Sequence, residues 1–454
     1  MKKTLALMSV LLWILTTLSG CSTGEGKLSP SNPVTLTMWH VYGSQTESPL
    51  NVLIEEFNRT AGKEKGIAVS VVSVTNTTDI DAALIASAND EPGSVALPDL
   101  FTAYPRTVEK IGADRLLDWN QYLSKEQIAA FVPDFLAEGQ FGDQLLMLPI
   151  AKSTELCFLN KTLFDRFAAE TGTEIESMSD FDELFAACAQ YYDWSGGQDM
   201  FQINDFYHYF LVNMASLGAD LIADGQVDCT NEAFVRVWEP MAQAAIHGGL
   251  CVQDGYASDR WKTAELISNI GSTAGILYLR DYVTYADNTT EDIETEILPY
   301  PCFAGAAPTV MQRGSGLFAI RSDDECKNQA AAVFALWITD TRHNVDFVTQ
   351  AGYLPVTQEG FSSLLKDTGA VENEKYRMLY DAVSEMYGSY AFCSLPLYAG
   401  AGDVQPAFEK AVKNVLNSAH EEYVRRTAAG ESADAVMTEL KDQALAELAR
   451  LMQA

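Results

Sequence analysis

Strand-like and helix-like segments alternate at the start of the globular part of the chain, and this alternation restricts the possible folds more than any other feature. From Val34 to Tyr104, three β-rich runs, "VTLTMWHVYG", "GIAVSVVSVT" and "VALPDLFTAY", are separated by two helical segments. The first helical segment, "SPLNVLIEEFNRTAG", places its apolar residues on one face. Strands joined by helical crossovers form a parallel sheet with helices on its faces. The sequence therefore predicts an α/β fold.

Aromatic residues stand at the ends of these predicted strands. Ligands bind beyond the carboxyl ends of the strands in parallel α/β sheets, and Trp39, Tyr42 and Tyr104 occupy such positions. A later apolar run, "TAGILYLRDY", is predicted to be another strand with Tyr278 near its end. The four rings are predicted to border a binding site, and packing in the core is the alternative for each of them.

A polar segment interrupts two apolar runs in the middle of the chain. Ala151 to Glu155 separates "LLMLPI" from "LCFL". A crossing between two domains explains such a segment, because side chains at a crossing face solvent or ligand. The length of the chain also favours two domains, since 454 residues exceed the usual size of a single core.

The first twenty residues have the pattern of a secretory signal peptide. Lys2 and Lys3 precede an apolar run from Leu5 to Leu18, which is shorter than the ~20 residues of a membrane-spanning helix. The following "LSGC" resembles the bacterial lipobox, and this resemblance implies that Cys21 carries lipid on the outer face of the cytoplasmic membrane. Residues 1–20 are then the signal peptide and residues 21–33 a Gly-, Ser- and Pro-rich tether. An ordinary signal peptide is the alternative.

The remaining body is strongly acidic. Without Lys2 and Lys3, 28 basic residues face 62 acidic ones, which gives a formal net charge of −34. Such a surface repels nucleic acid and anionic lipid. The charge therefore favours a neutral or cationic partner and argues against nucleic-acid binding.

The cysteines and histidines give no sign of a metal or cofactor. Seven cysteines follow Cys21 at wide spacing, without a C-x-x-C pair, and the five histidines do not repeat at metal-ligand spacing. We expect buried free thiols, with one or two disulfides as the alternative. No metal and no cofactor are predicted.

Several short stretches resemble one family in their sequence and in their order. They are "LTMWHVYGSQTESPLNVLIEEFN", "LPDLF", "LPIAKSTELCFLNKTLFDRF", "AGILYL", "ILPYPCF", "GSGLFAI" and "QAGYLPVT", within residues 34–420. Together with the lipobox they resemble bacterial extracellular solute-binding protein family 1, which contains sugar-binding and glycerol-phosphate-binding lipoproteins of ABC importers.

The resemblance implies a type II periplasmic-binding-protein-like fold, in which two α/β lobes enclose a cleft and are joined by a hinge of several segments. Lobe one is expected to contain residues 34–150 and about 295–340. Lobe two is expected to contain residues 151–294 and about 341–454. The resemblance also implies a monomer that delivers its ligand to the transmembrane subunits of an ABC permease.

Further ligand contacts follow only from matching positions in the family. Ser153 and Tyr353 match positions where relatives contact ligand, and Gly314 matches one where backbone comes close to it. Glu155 is expected either to accept from ligand hydroxyls or to form an ion pair between the lobes. Two of these residues have a structural alternative: Ser153 could cap the hinge by bonding local backbone, and Gly314 could be required by the geometry of a turn.

Carbohydrate is the expected ligand, as a mono- or oligosaccharide. Aromatic rings stack on sugar faces while polar side chains bind the hydroxyls. Relatives that bind glycerol phosphate place an arginine where this chain has Gly400, and Asp403 follows here. This departure disfavours a phosphate, although a glycerol-phosphate or polyol ligand remains an alternative.

Other classes of protein remain open. A glycosidase-like enzyme needs two carboxylates ~5–10 Å apart, and 62 acidic residues leave that possible. The metalloprotease pattern H-E-x-x-H and the P-loop pattern are absent from the sequence. No catalytic residues are predicted. A sensory lipoprotein with the same binding fold is the second alternative.

Overall fold

A computed structural model describes residues 27–42, 48–73, 77–396 and 400–453. The predicted signal peptide, the lipidation site Cys21 and the first part of the predicted tether lie outside the described residues. No helix within the described ranges is both long and apolar enough to cross a membrane.

Short strands and helices alternate along most of the described chain. The strands are β1 (Val34–His40), β2 (Ile67–Ser73), β3 (Leu100–Ala103), β4 (Gln140–Phe141), β5 (Gln144–Leu145), β6 (Leu148–Pro149), β7 (Glu155–Asn160), β8 (Phe201–Ile203), β9 (Ile222–Ala223), β10 (Gln226–Val227), β11 (Leu250–Cys251), β12 (Ser268–Ser272), β13 (Tyr282–Thr284), β14 (Thr290–Asp292), β15 (Thr295–Leu298), β16 (Thr309–Met311), β17 (Gly316–Ala319) and β18 (Ala391–Cys393).

The helices are longest at the carboxyl end. They are α1 (Pro49–Arg59), α2 (Ala61–Lys65), α3 (Thr77–Ala88), α4 (Thr107–Ile111), α5 (Lys125–Ala129), α6 (Pro133–Ala137), α7 (Lys161–Thr171), α8 (Phe181–Ser195), α9 (Phe206–Ser216), α10 (Glu232–His247), α11 (Ala257–Trp261), α12 (Glu325–Ile338), α13 (Thr341–Thr349), α14 (Gln358–Lys366), α15 (Glu374–Met386), α16 (Ala401–Ala428) and α17 (Ala433–Met452).

The first helix shows how the local sequence sets an element. Ser48 caps α1 by accepting a hydrogen bond from the backbone N–H of Asn51, and Pro49 occupies the first helical position. The apolar face predicted from the sequence is buried, with Phe57 fully inside the core. This face packs α1 against the first sheet, as the alternation of strands and helices predicted.

The first of the two large sheets has the order β2–β1–β3–β17–β6. Strands β1, β2 and β3 are parallel, whereas β17 runs antiparallel to its neighbours β3 and β6. Apolar side chains cover both faces, since Leu36 and Met38 join one cluster and Trp39 joins another. Helices therefore pack on both sides of this sheet.

The second large sheet has the order β11–β8–β12–β7–β15. Strands β11, β8 and β12 are parallel, and β7 is antiparallel to β12 and β15. Its side chains belong to a separate and larger apolar cluster, which also includes residues of α8, α9, α10, α15 and α16. Two sheets with separate cores form the two α/β lobes.

Three adjacent backbone segments, called the crossing segments below, connect the lobes and form the hinge. They are residues 150–154, 312–315 and 350–356. Ser153 and Arg313 exchange two backbone hydrogen bonds of 2.9 and 2.7 Å, and Lys152 and Leu354 exchange two of 3.3 and 2.6 Å. The segments therefore lie side by side, and the polar segment noted in the sequence is one of them.

Three details of the predicted organisation are wrong. The strand β15 pairs with β7 in the second sheet, so the chain returns to the first lobe later than about residue 295. Helix α13 packs in the core of the first sheet through Phe347 and Val348, so the first lobe continues beyond about residue 340. The run "TAGILYLRDY" contains a 3₁₀ helix, Thr273–Tyr278, which follows β12 instead of forming a strand.

The cysteines of the described chain are free thiols, as expected, but they are not all buried. Cys157, Cys188, Cys229 and Cys251 are buried, and the other three are half-buried: Cys302, Cys326 and Cys393. Burial raises the pKa of the Cys157 thiol to about 12. The buried thiols therefore act as apolar core residues.

Candidate binding site

A cavity of about 500 Å³ lies where the two lobes meet the connecting segments. One wall follows β3 of the first sheet, the opposite wall follows β8 of the second sheet, and residues 312–314 form the floor. The principal lining residues are Tyr104, Arg106, Glu138, Asp205, Tyr207, His208, Gln312, Arg313, Gly314, Leu395, Pro396, Gly402 and Gln405. Ligand in this cavity would contact both lobes.

Tyr104 provides an aromatic face in the first wall. It directly follows β3, so the sequence prediction of its position at a strand end is confirmed. The Arg106 guanidinium lies 5.3 Å from the centroid of its ring. Arg106 also forms an ion pair of 3.6 Å with Asp81. These contacts hold a half-buried ring beside the cavity.

The second wall is formed by the start of α9. Asp205 caps this helix, and its carboxylate accepts a 2.9 Å hydrogen bond from the backbone N–H of His208. The His208 ring is 3% exposed, with Nδ1 3.3 Å from Glu155 Oε1 and 3.4 Å from Asp205 Oδ2. Although burial acts to raise the pKa of Asp205, the nearby His208 and Arg313 lower it.

Glu155 and Arg313 form an ion pair behind the cavity. Glu155 begins β7 and is nearly fully buried, and its Oε1 accepts a 2.8 Å hydrogen bond from Arg313 Nη1. Burial opposes the charge of Arg313, but Glu155 and then other nearby acidic groups raise its pKa. Of the two predicted roles for Glu155, the structure places it in the ion pair. Ser153 lies in the adjacent crossing segment and binds the Arg313 backbone.

A second ion pair lies under the first wall. Lys152 is fully buried, and its Nζ lies 2.5 Å from Glu138 Oε2 and 3.4 Å from the carbonyl of Gly314. Burial lowers the pKa of Lys152, while the Glu138 carboxylate raises it. The pair links residue 138 to the hinge segment at residue 152.

Gly314 fits both of the explanations offered by the sequence. It lines the cavity, and its φ of +107° lies in the region that favours glycine. A Cβ at this position would lie 2.5 Å from the carbonyl oxygen of Ala151. The crossing segments therefore approach each other closely here only because residue 314 has no side chain.

A cluster of tyrosines adjoins the cavity. The Tyr42 hydroxyl lies 3.2 Å from Ser315 Oγ, and its ring packs edge-on against Tyr353 with centroids 5.3 Å apart. Burial raises the pKa of Tyr353 well above its usual value, and the nearby hydroxyls of Tyr42, Tyr104 and Tyr278 contribute. Tyr278 is the last residue of the 3₁₀ helix, and its side chain is half exposed. The structure thus brings four of the predicted residues close together.

Trp39 is not among the residues that the structure brings to the cavity. Its side chain is 6% exposed and belongs to the apolar cluster that contains Ile80 and Leu84 of α3. Side chains alternate between the two faces of a strand, and residue 39 points to the face covered by α3. The core alternative therefore describes Trp39.

A pair of carboxyl groups lies behind the second wall. Glu409 of α16 accepts a 2.6 Å hydrogen bond from the backbone N–H of Tyr207, and Gln405 donates a 3.0 Å hydrogen bond to Asp205. Burial and the neighbouring Asp205 carboxylate raise the pKa of Glu409 to about 9. Glu409 is therefore protonated at neutral pH.

Sequence reasoning missed most of the polar lining. Asp205 and His208 follow the short strand β8 within "QINDFYHYF", and a polar residue before aromatic residues at a strand end was the available signal. Arg313 directly precedes Gly314, which the resemblance did indicate. Gln312 offered no comparable sign.

The cavity suits a ligand without net charge. Each charged lining side chain is ion-paired or hydrogen-bonded within the protein. Arg106 pairs with Asp81, Glu138 with Lys152, and Arg313 with Glu155, and the Asp205 carboxylate accepts hydrogen bonds from the backbone N–H of His208 and from the Gln405 amide. Within the described ranges, no group of three or more His, Cys, Asp or Glu side chains is arranged to hold a metal ion. The geometry supports binding of an uncharged small molecule.

A two-lobed α/β chain with a cavity beside its hinge is a ligand-binding protein of the periplasmic-binding type. The model of the family described as bacterial extracellular solute-binding protein matches residues 53–369. The chain belongs to that family, and it is therefore a binding protein and not an enzyme. No curated protein sequence matches it significantly.

Solved structures show the same fold. A cyclic α-maltosyl-1,6-maltose binding protein from Arthrobacter globiformis has a TM-score of 0.65 at 18% identity, covering 92% of this chain and 100% of that chain. UgpB from Mycobacterium tuberculosis, in complex with glycerophosphocholine, has a TM-score of 0.66 at 16% identity, covering 92% and 99%. A maltotriose binding protein from Thermus thermophilus has 0.58 at 18%, covering 91% and 99%. The predicted type II fold is confirmed.

Proposed function

We propose that this chain is the solute-binding lipoprotein of an ABC importer and that its ligand is a neutral carbohydrate. The observation that carries the proposal is a cavity between two lobes in which an aromatic face at Tyr104 opposes polar side chains whose charges are already paired. Sugars combine apolar faces with hydroxyl groups, and this lining matches both. The sugar-binding proteins of similar fold support the same class of ligand.

The cavity lining also disfavours a phosphorylated ligand. The segment where glycerol-phosphate-binding relatives have an arginine lies at the cavity, and it contributes Ala401, Gly402 and Gln405. Gly400 precedes these residues, and Asp403 lies in the first turn of α16. A phosphate here would meet no unpaired cation from this segment. The fold shared with a glycerophosphocholine-bound protein keeps the phosphorylated polyol as the alternative to be tested.

Capture and release follow from the hinge. Ligand that contacts the walls after β3 and after β8 at the same time stabilises a closed arrangement of the lobes, because only that arrangement allows both sets of contacts. The closed protein then docks on the permease with both lobes. The crossing segments at residues 150–154, 312–315 and 350–356, which lie side by side, provide the axis for this motion.

A thermal-shift screen tests the class of ligand. Maltose, maltotriose, mannotriose, glycerol 3-phosphate and glycerophosphocholine are compared at millimolar concentration. We expect at least one neutral sugar to raise the melting temperature, since a ligand at 100 times its Kd stabilises the native state by about 2.7 kcal/mol. A rise with the phosphorylated compounds alone would contradict the proposal.

Replacement of Tyr104 by alanine is expected to weaken sugar binding by ~1–3 kcal/mol, because the variant loses the aromatic face in the first wall. The affinity is measured by calorimetry with the sugar identified in the screen. The control is Tyr256→Ala, which removes a tyrosine that is 77% exposed and does not line the cavity. Equal affinities of the wild type and Tyr104→Ala would show that sugar does not contact this ring.

We also propose that Cys21 anchors the protein on the outer face of the cytoplasmic membrane, and that the protein acts as a monomer. In cells, the wild-type protein is expected to incorporate a labelled fatty acid and to sediment with membranes. Cys21→Ala is expected to lose both properties, whereas Cys229→Ala, in the body of the protein, retains them. Fatty-acid labelling of Cys21→Ala at the wild-type level would contradict the anchor.

A further inference from the structure

Two polar atoms in residues that border the cavity have no hydrogen-bond partner in the described part of the chain. They are Nε2 of His208 and Oε1 of Gln312, and both residues are only 3% exposed. A buried polar atom without a partner is costly, so each such atom in a native protein needs an explanation. Here both residues line the same cavity, and a ligand bound in that cavity would explain both atoms by forming hydrogen bonds with them.

The surroundings of His208 leave its Nε2 as the atom that can bind a ligand hydroxyl. Its Nδ1 faces two carboxylate oxygens, from Glu155 at 3.3 Å and Asp205 at 3.4 Å. Carboxylates only accept hydrogen bonds, so Nδ1 carries a proton and donates to them. A hydroxyl group both donates and accepts hydrogen bonds, so it can pair with Nε2 whether or not that atom carries a proton.

The surroundings of Gln312 make its Oε1 a hydrogen-bond acceptor. Its Nε2 donates a 3.1 Å hydrogen bond to the carbonyl of Asp134, and the opposite amide orientation would place two acceptor oxygens together. Its backbone N–H donates a 2.7 Å hydrogen bond to the carbonyl of Cys393. The side chain is therefore held in one orientation from both ends.

We propose that His208 and Gln312 select the ligand, by forming hydrogen bonds with two of its hydroxyl groups. This inference rests on the proposed function, and it adds the requirement that the ligand present hydroxyl groups at these two places. A phosphate or carboxylate oxygen beside Gln312 Oε1 would meet another acceptor. A site that binds a hydroxyl group strongly rejects the deoxy analogue, since the polar atom of the protein is then left buried and unpaired.

Two substitutions at His208 separate the hydrogen-bonding atom at Nε2 from the contact with the carboxylates. His208→Asn places an amide near the position of Nδ1 and removes the atom at Nε2. His208→Gln places an amide near Nε2 and removes the donor at Nδ1. Gln312→Met removes the acceptor at residue 312 in a side chain of similar length. His247→Asn is the matched control, because His247 interacts with Asp193 away from the cavity.

Calorimetry with the neutral sugar that raises the melting temperature most gives the readout. We expect His208→Asn and Gln312→Met each to bind at least tenfold more weakly than the wild type, and His208→Gln to bind more tightly than His208→Asn. Among monodeoxy analogues of that sugar, one is expected to lose at least tenfold in the wild type and to lose little further in His208→Asn. His247→Asn is expected to bind as the wild type does.

The outcomes distinguish the two proposals. If no sugar changes the melting temperature, the proposed function fails. If a sugar binds but His208→Asn and Gln312→Met retain wild-type affinity, the function stands and the selection by these residues is wrong. If His208→Gln binds as weakly as His208→Asn while both ligand-free variants melt as the wild type does, His208 acts through Glu155 and Asp205, and the direct hydrogen bond from Nε2 to the ligand is overturned.

Discussion

Replacement of Glu138 by alanine is expected to lower the free energy of unfolding by about 3–5 kcal/mol, because it leaves a buried charge without its partner. Lys152 has no exposed side-chain surface, and its ammonium group lies 2.5 Å from Glu138 Oε2. The remaining close contact of Nζ is the Gly314 carbonyl at 3.4 Å, which is weak. Burial already lowers the pKa of Lys152, and the loss of the carboxylate would lower it further.

Denaturant unfolding of the ligand-free protein measures this effect. Glu55→Ala is the control, because Glu55 is exposed on α1 and its loss should change the stability by less than about 0.5 kcal/mol. The double variant Glu138→Leu with Lys152→Met removes both charges and should recover most of the lost stability. If Glu138→Ala unfolds at the same denaturant concentration as Glu55→Ala, the pair does not stabilise the hinge.

The sequence predicted those elements whose pattern is local. The buried face of α1 and the end of β3 just before Tyr104 were predicted from apolar periodicities of 3.6 and 2 residues, and both predictions are confirmed. The same rule failed for "TAGILYLRDY", because a short apolar run fits a strand or a buried helical turn equally well. The polar segment from Ala151 to Glu155 also located one of the three segments that connect the lobes.

The site depends on contacts that are distant in sequence. His208 meets Glu155 across 53 residues, and Glu155 meets Arg313 across 158. No local pattern encodes such pairs. Trp39 illustrates the other limit, since its position at a strand end was predicted correctly but its face was not. That face depends on where α3 packs, which the strand sequence does not specify.

The carboxyl pair behind the second wall makes stability depend on pH. Glu409 has a pKa of about 9 in the folded chain, because burial and the adjacent Asp205 carboxylate disfavour its charged form. In the unfolded chain its pKa is close to the ordinary 4.5. Between these values the folded state keeps a proton that the unfolded state releases, so the stability from this group is complete below pH 4.5 and is lost as the pH rises towards 9.

Replacement of Glu409 by glutamine should therefore change the slope of stability against pH. Glutamine cannot ionise, so relative to the wild type the variant should gain up to about 1.4 kcal/mol per pH unit as the pH rises within that interval. The difference in unfolding free energy between the two proteins should therefore be about 3 kcal/mol larger at pH 8 than at pH 5.5. Glu421→Gln, an exposed substitution on the same helix, removes the same charge and should run parallel to the wild type. Only a group that is protonated in the folded chain and ionised in the unfolded chain can produce this difference. If the stability of Glu409→Gln also runs parallel to that of the wild type across this pH range, Asp205 and Glu409 do not retain a proton at neutral pH.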